Sequence, residues 1–472
     1  MRRAILFPDT RDIEGMEGCR LRPGRAVRTE SPVLAPTLPC EGSACYVYGS
    51  VFKYKGWYRI WHQAIVPNFG DAVCHSLSRD GYTWTRPLFN SGKGLKAGHA
   101  PTVSTLTFPE ELASWPALYA GRNNIAACLH NPVVIPPDCG DPYPGLYKIM
   151  GFTSQGYAAG FSKDGRRFRY VPENPVIPLT WYPNLNTGKQ WANDVGIPFW
   201  DSGQRRYVGL IKTYEIDGEG RTRRCIGCTE SPDMLGWYPV ETAWIPGPAE
   251  DAIAAAKGFK WADFYGLPAF PYGNGYLGFL WLFLIDRELP KGTHVGKIEV
   301  YLAWSRDARR WERISDEPLL ANPPDGEWGC AVIHTASMPV RERDHEKVYF
   351  AGGDSLHGGW EVGLPPLGRH PMSIGAATLP KNGFCRLWAE DGGFSVPLRE
   401  GENLVSLMFS SDAGFARVTQ EGVEGSLFEG AAEEGQTVQF HAAREGKRLL
   451  RVTLRACGVY SITLRTHKRQ AS

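Results

Sequence analysis

The sequence predicts an all-β chain: a five-bladed β-propeller over residues 1–384, followed by a small C-terminal β-sandwich over residues 385–472. Three observations predict it. A Ser-x-Asp-x-x-x-aromatic signature recurs four times, starting at Ser78, Ser162, Ser231 and Ser305. Repetition at roughly 70 to 85 residues marks a modular architecture. The composition, with 54 glycines, 36 prolines and 16 tryptophans, is that of a turn-rich β chain. Beyond Phe384 the signature stops and short alternating runs replace it.

Each unit follows from its residues. A strand-like run precedes every signature, as in Ala72–Leu77, Tyr157–Phe161, Arg224–Thr229 and Val300–Trp304. Ser and Asp hydrogen-bond nearby backbone amides and close a tight turn, and glycine supplies a position with positive φ. The terminal aromatic then opens the next strand and buries its ring between sheets. The signature therefore joins the last two strands of a four-stranded blade, with its aspartates holding turns. A degenerate fifth copy runs through Ile374–Thr378, with Asn382-Gly383-Phe384 at the turn. Earlier hairpins appear at Val51–Trp61, Pro198–Leu210 and Leu267–Trp281, where aromatic and β-branched runs are broken by Gly, Asn or Asp. One short helix is expected near Ala249–Lys257. In the C-terminal unit, Leu404–Phe409, Thr437–His441, Leu449–Leu454 and Tyr460–Leu464 alternate as strands with one buried face.

Charge and cysteine content narrow the function. A net charge of +2 offers no electrostatic case for nucleic acid or an anionic membrane. No apolar stretch is long enough to span a bilayer, and the start lacks a signal-peptide core. Eleven cysteines without framework spacing fit reduced thiols, so a cytoplasmic location is expected. Cys225 and Cys228 read as strand packing, since positions three apart face opposite sides. Neither a metal nor a cofactor is expected, and the sequence does not indicate an oligomeric state.

The repeated turns, the five units and the C-terminal sandwich resemble the furanosidase-type propellers of glycoside hydrolase families 32, 43 and 68. The order of segments is most similar to an uncharacterised family-32-like group of bacterial proteins. Matching stretches are Leu6-Phe7-Pro8-Asp9, Asn123-Asn124-Ile125, Tyr147-Lys148-Ile149-Met150, Tyr265-Gly266-Leu267-Pro268 and Asn382-Gly383-Phe384. The resemblance implies an axial funnel with three carboxylates from the innermost strands of the first three blades: a base or nucleophile, a transition-state stabiliser and a general acid. The Asn-Asp-Pro, Arg-Asp-Pro and Glu-Cys motifs of those families are absent from their expected places, so the trio does not transfer by motif.

Position supplies candidates instead. The innermost strand of each unit follows the preceding signature, and its start faces the axis. Those starts carry Glu41, Asn124 with His130, Asp194, Asp263 and Glu327. Glycosidic cleavage needs two carboxyl groups flanking the scissile bond, one protonated and one ionised. Asp194 and Asp263 are the expected catalytic pair, with Glu327 and Glu41 as supporting carboxylates. Trp191 and Trp261 offer faces to sugar rings, and His130, Asn124, His334 and Asp9 are candidate substrate contacts. The expected function is hydrolysis of a glycosidic bond in a small glycan or glycoside, furanosides included. Two alternatives stand beside it. A mannoside-phosphorylase-like enzyme would need a basic cluster, for which Arg59, Lys148 and Lys212 are the hints. A propeller that binds carbohydrate without turnover is the other.

Overall fold

Short strand-forming runs bounded by Gly, Pro, Asn and Asp leave little for helices, and the computed structural model is accordingly all-β. It describes residues 2–66, 70–89, 123–153, 155–181, 194–289, 293–411, 413–443 and 447–466. A first sheet orders Cys45–Tyr46, Trp57–Val66, Gly70–Ser78 and Trp84–Thr85, with Val51–Tyr54 and Ile125–Ala127 on its flanks. A second runs His130–Ile135, Tyr147–Thr153, Gly156–Ser162, Arg169–Tyr170, with Ile177–Pro178 alongside. The third is Gly196–Asp201, Arg206–Ile216, Thr222–Ser231, Glu241–Trp244. A ten-stranded sheet follows, formed of two antiparallel groups joined by one parallel pair, Ile298 with Val332. Its fourth group holds Trp261–Gly266, Gly275–Glu288, His294–Ser305 and Glu312–Arg313. Its fifth holds Val332–Thr335, His345–Gly353, Ser373–Pro380 and Val27–Arg28.

The signature behaves as its chemistry predicts. In the first copy the Asp80 carboxylate accepts from the amides of Tyr82 and Thr83, both at 2.8 Å, while Ser78 Oγ accepts from the Gly81 amide. Asp164, Asp233 and Asp307 repeat the arrangement. The left-handed position of the turn is Gly81 and Gly165, but Met234 and Ala308 occupy it in the other two copies. Each turn joins the third strand of a group to its fourth, and Trp84, Phe168, Trp237 and Trp311 are buried.

Neighbouring groups are tied in sequence and the last meets the first. Trp61 Nε1 donates to the Gly165 carbonyl at 2.6 Å, Tyr207 bonds Asp141, and Tyr276 bonds Asp201. Trp281 Nε1 then donates to Thr335 Oγ1 at 3.0 Å, and the Tyr349 hydroxyl donates to the Gly81 carbonyl at 2.7 Å. These contacts run through all five groups and return to the first.

Residues 385–466 contribute six strands to an eight-stranded sheet centred on Leu449–Thr466. The strands Arg2–Leu6 and Glu14–Pro23 belong to that same sheet, pairing with Leu449–Thr466 and Cys385–Pro397. Ile5, Phe7, Leu387, Phe394, Val405 and Ile462 share its core. The expected helix forms at Pro248–Ala256, with Pro at its first turn and Glu250 accepting from the Gly247 amide. Among the described residues no helix is long and apolar enough to cross a membrane, and the cysteines are free thiols.

Candidate active site

The starts of the innermost strands converge on one cavity of 640 Å³. Tyr46 and Tyr48 come from the first group and His130 from the first position of its strand in the second. Asp194 stands two residues before Gly196–Asp201, Tyr265 lies in Trp261–Gly266, and Val332 and His334 lie in Val332–Thr335. Second strands add Gln63 and Lys212, and Arg224 comes from a third strand. The segment around Ser355–Glu361 closes one side, with Trp360 66% exposed at the rim.

Asp194 is one of three acidic residues in the lining, with Asp354 and Glu361. Its Oδ1 lies 2.5 Å from Lys212 Nζ and its Oδ2 3.3 Å from His130 Nε2. Burial opposes its charge, but the Lys212 ammonium and the His130 imidazolium hold its pKa well below the usual carboxylate range. The other nitrogen of His130, Nδ1, lies 2.9 Å from Asp71 Oδ2. Gln63 Nε2 donates to Asp71 Oδ1 at 2.6 Å, and Gln63 Oε1 accepts from the Asn131 amide. His130 is thus gripped between two carboxylates. Burial alone would lower its pKa, yet hydrogen bonds to Asp194 and Asp71, with their charges, raise it to about 10. Its 30% exposed side chain faces the cavity.

Asp263 has a different setting. It is fully buried and does not line the cavity. Arg223 Nε reaches its Oδ1 at 3.1 Å, and Arg224 Nη1 and His294 Nδ1 reach its Oδ2 at 3.3 and 2.9 Å. The helix contributes Asp251, whose Oδ1 accepts from Arg223 Nη2 at 2.8 Å. Burial would raise the Asp263 pKa, and His294 with the two arginines lowers it instead. Asp263 reaches the cavity only through Arg224.

Two histidines are held neutral. His334 lies in a cage of Tyr265 at 5.2 Å, Tyr48 at 5.5 Å and Trp281 at 4.9 Å between ring centroids. Burial first, then the charges of His357 and Lys212, push its pKa down to about 3. Both its ring nitrogens lack a hydrogen-bond partner among the described residues. His357 is pushed down to about 3 as well, mainly by burial. Its Nε2 lies 3.1 Å from the Tyr265 hydroxyl.

Of the residues expected from sequence, Asp194, His130 and His334 meet at the cavity. The other described ones do not line it. Glu41 is fully buried, accepting from Arg86 Nε at 2.6 Å and from the Thr37 and Leu38 amides. Asn124 bonds the His75 carbonyl. Asp9 accepts from Arg306 and Trp304, and Glu327 is exposed on a turn. Trp261 packs edge-on against His294 at 5.6 Å. Trp191 lies outside the described residues. Among the basic hints only Lys212 arrives: Lys148 pairs with Asp141, and Arg59 packs over Tyr54 and Tyr147. Sequence reasoning missed Asp71, Gln63, Arg224 and Trp360. Asp71 and Gln63 sit on paired strands two positions apart, at Ile65 with Asp71 and Gln63 with Val73, so a hairpin register applied to the sequence would have grouped them.

No model of a known protein family matches the chain, and no curated protein does. Solved structures similar to it include a protein described as a glycoside hydrolase, at 11% identity and a TM-score of 0.48 over 76% of this chain and 92% of the other. A beta-1,2-mannobiose phosphorylase from Listeria innocua aligns at 12% identity and a TM-score of 0.43, covering 75% of this chain and 96% of its own. A fructofuranosidase from Schwanniomyces occidentalis aligns at 10% identity and a TM-score of 0.41, covering 92% and 97%. Likeness at that distance carries no activity across to this chain.

Proposed function

We propose that this chain is a five-bladed β-propeller glycosidase that cleaves a glycosidic bond of a small glycan, with residues 385–472 as an accessory β-sandwich completed by the first two strands. The four turn signatures and the contacts that return from the fifth group to the first support the propeller. One observation carries the reaction: on the wall of an aromatic-lined cavity Asp194 is paired with Lys212 and His130, and His130 is bonded through its other nitrogen to Asp71 outside the lining.

Asp194 is the ionised carboxylate, stabilised in that state by Lys212 and His130, and serves as base or nucleophile. Asp71, bonded to the other ring nitrogen of His130, holds that ring as the imidazolium. His130 faces the cavity as the proton donor, so an acid and an ionised carboxylate stand side by side on its wall. Asp263 is the fixed counter-charge of Arg224, which holds sugar hydroxyls at the far wall. Tyr46, Tyr48 and Tyr265 present ring faces to the apolar sides of a sugar, and neutral His334 accepts from a hydroxyl.

Screening aryl glycosides and natural oligosaccharides, with and without inorganic phosphate, tests the reading. Turnover that disappears in Asp194→Asn and Asp71→Asn while folding is retained is the expected result. Sugar binding without turnover in the unaltered protein, unchanged in both variants, would sink it and leave a binding propeller. A phosphorolytic form is favoured by Lys212, Arg224 and His130, three basic groups around one cavity. Turnover strictly dependent on phosphate would select it over hydrolysis.

A further inference from the structure

A second set of chemistry-bearing side chains lies inside the first sheet, apart from the cavity. Glu41 ends the turn Pro39–Glu41, Cys45 opens the strand Cys45–Tyr46, and His62 lies in Trp57–Val66. All three are fully buried. The strand register explains why they meet. Cys45 pairs with Ala64, so its side chain shares a face with Ala64 and, two residues back, with His62. Their donor atoms, one carboxylate oxygen, one sulfur and one imidazole nitrogen, lie within 4.8 Å of one another.

The polar accounting of this cluster is incomplete. Neither ring nitrogen of His62 has a hydrogen-bond partner among the described residues, although Nε2 lies 3.3 Å from Glu41 Oε1. Among the described residues Nδ1 of this buried imidazole faces no partner and Nε2 faces only the Glu41 carboxylate, so its hydrogen-bonding capacity is not filled. Buried unpaired polar groups call for an explanation, of which an ion is one.

We propose that Glu41, Cys45 and His62 hold a structural divalent metal ion, zinc by the mixed oxygen, sulfur and nitrogen donor set. Zinc takes such donors at about 2.0 to 2.3 Å in tetrahedral sites, so the three side chains close in by less than about an ångström. Cys74 supplies the fourth position. It is directly opposite His62 in the strand pair, and its Sγ now lies 3.8 Å from the Cys40 carbonyl. With Cys45 and Cys74 as thiolates, three anionic ligands balance the dication and the Arg86 guanidinium that already pairs with Glu41. Each thiol proton leaves to solvent as its sulfur coordinates. A fully enclosed, four-coordinate set has no open position for substrate, so the ion braces the first sheet and takes no part in the cavity's chemistry.

The test is cobalt(II) substitution. Protein unfolded and refolded under reducing conditions with cobalt(II) should bind about one equivalent and show thiolate-to-cobalt charge transfer with tetrahedral d–d bands. Cys45→Ser and His62→Gln should each lose those bands, whereas Cys19→Ser, a cysteine outside the cluster, should keep them. Zinc should raise the melting temperature of the unaltered protein and a chelator lower it. Absence of the cobalt bands in the unaltered protein, or bands that persist in both Cys45→Ser and His62→Gln, would overturn the assignment, whether or not either variant folds well.

Discussion

Asp194 and Asp263 show how much a single residue's setting decides. Both open the inner strand of a unit, yet one faces the cavity between a lysine and a histidine and the other is sealed under two arginines. Asp194→Asn should lower turnover by about 10²- to 10⁴-fold, measured as kcat at saturating substrate with folding checked by circular dichroism. His334→Phe keeps the ring stack but removes both nitrogens. It should raise KM by roughly tenfold, the worth of one hydrogen bond of about 1.4 kcal/mol, with kcat little changed. His130 sets a pH dependence. Its folded pKa, about 10, lies above its unfolded value near 6.5, so its stabilising contribution is complete below about pH 6.5 and disappears as pH rises through about 10. Denaturant unfolding should show that alkaline loss in the unaltered protein and not in His130→Gln. Of the residues at this scale, Asp194 and His130 were legible because each stands at a strand start after a repeat, and His334 because it alternates with apolar residues along a strand. Asp71 was reachable only through the register of its hairpin with Gln63, and Arg224 was not, because a third strand's approach to the axis depends on the twist of the sheet and not on any local pattern.

At the scale of the element, the signature turn is the unit that repeats. One carboxylate accepts two backbone amides in each copy, and its serine closes the loop by accepting a third. Asp164→Ala should therefore destabilise the protein by about 1 to 2 kcal/mol through the loss of its charge-assisted hydrogen bonds to the turn, read as a shift in the urea midpoint at constant slope. The same geometry predicts acid lability. Burial opposes ionisation of Asp307, but the amides of Arg310 and Arg309 bring its pKa down to about 2, and Glu41 is also brought to about 2, despite its burial, by His62 and Arg86. A depressed carboxylate stabilises the fold above its unfolded pKa near 4 and ceases to do so as pH falls through about 2. Unfolding followed by fluorescence should begin below about pH 4. These turns were readable from sequence since every partner lies within a few residues of the aspartate. The left-handed position is less strict than the glycines of the first two copies suggest, since Met234 and Ala308 adopt φ of 67° and 63° there.

For the whole molecule, the telling feature is the first strand. Arg2–Leu6 pairs with Leu449–Thr466, and Arg3 forms an ion pair with Glu402 at 2.8 Å. The two ends of the described chain thus share one sheet, and Ile5 is fully enclosed in its core. Ile5→Ala should cost about 2 to 5 kcal/mol and, if the C-terminal sheet unfolds as its own unit, should lower an early transition in calorimetry while leaving the later one in place. No local signal in Met1–Asp9 announces a partner some 450 residues away, because pairing over that distance is selected by the completed core.

Local patterns in the chain encode the β class, the repeat, the turn that closes each unit and the short helix, along with three of the residues at the cavity. Those depend on periodicity and on hydrogen bonds between near neighbours, which a linear pattern encodes. The tertiary structure alone decided that Asp194 reaches the cavity and Asp263 does not, that His130 bridges Asp194 to Asp71, and that Glu41 lies inside the first sheet beside Cys45 and His62. Each of those depends on how separate sheets twist and pack, and therefore on which charges a distant strand brings within about 4 Å, the range over which a buried partner changes a carboxylate's state.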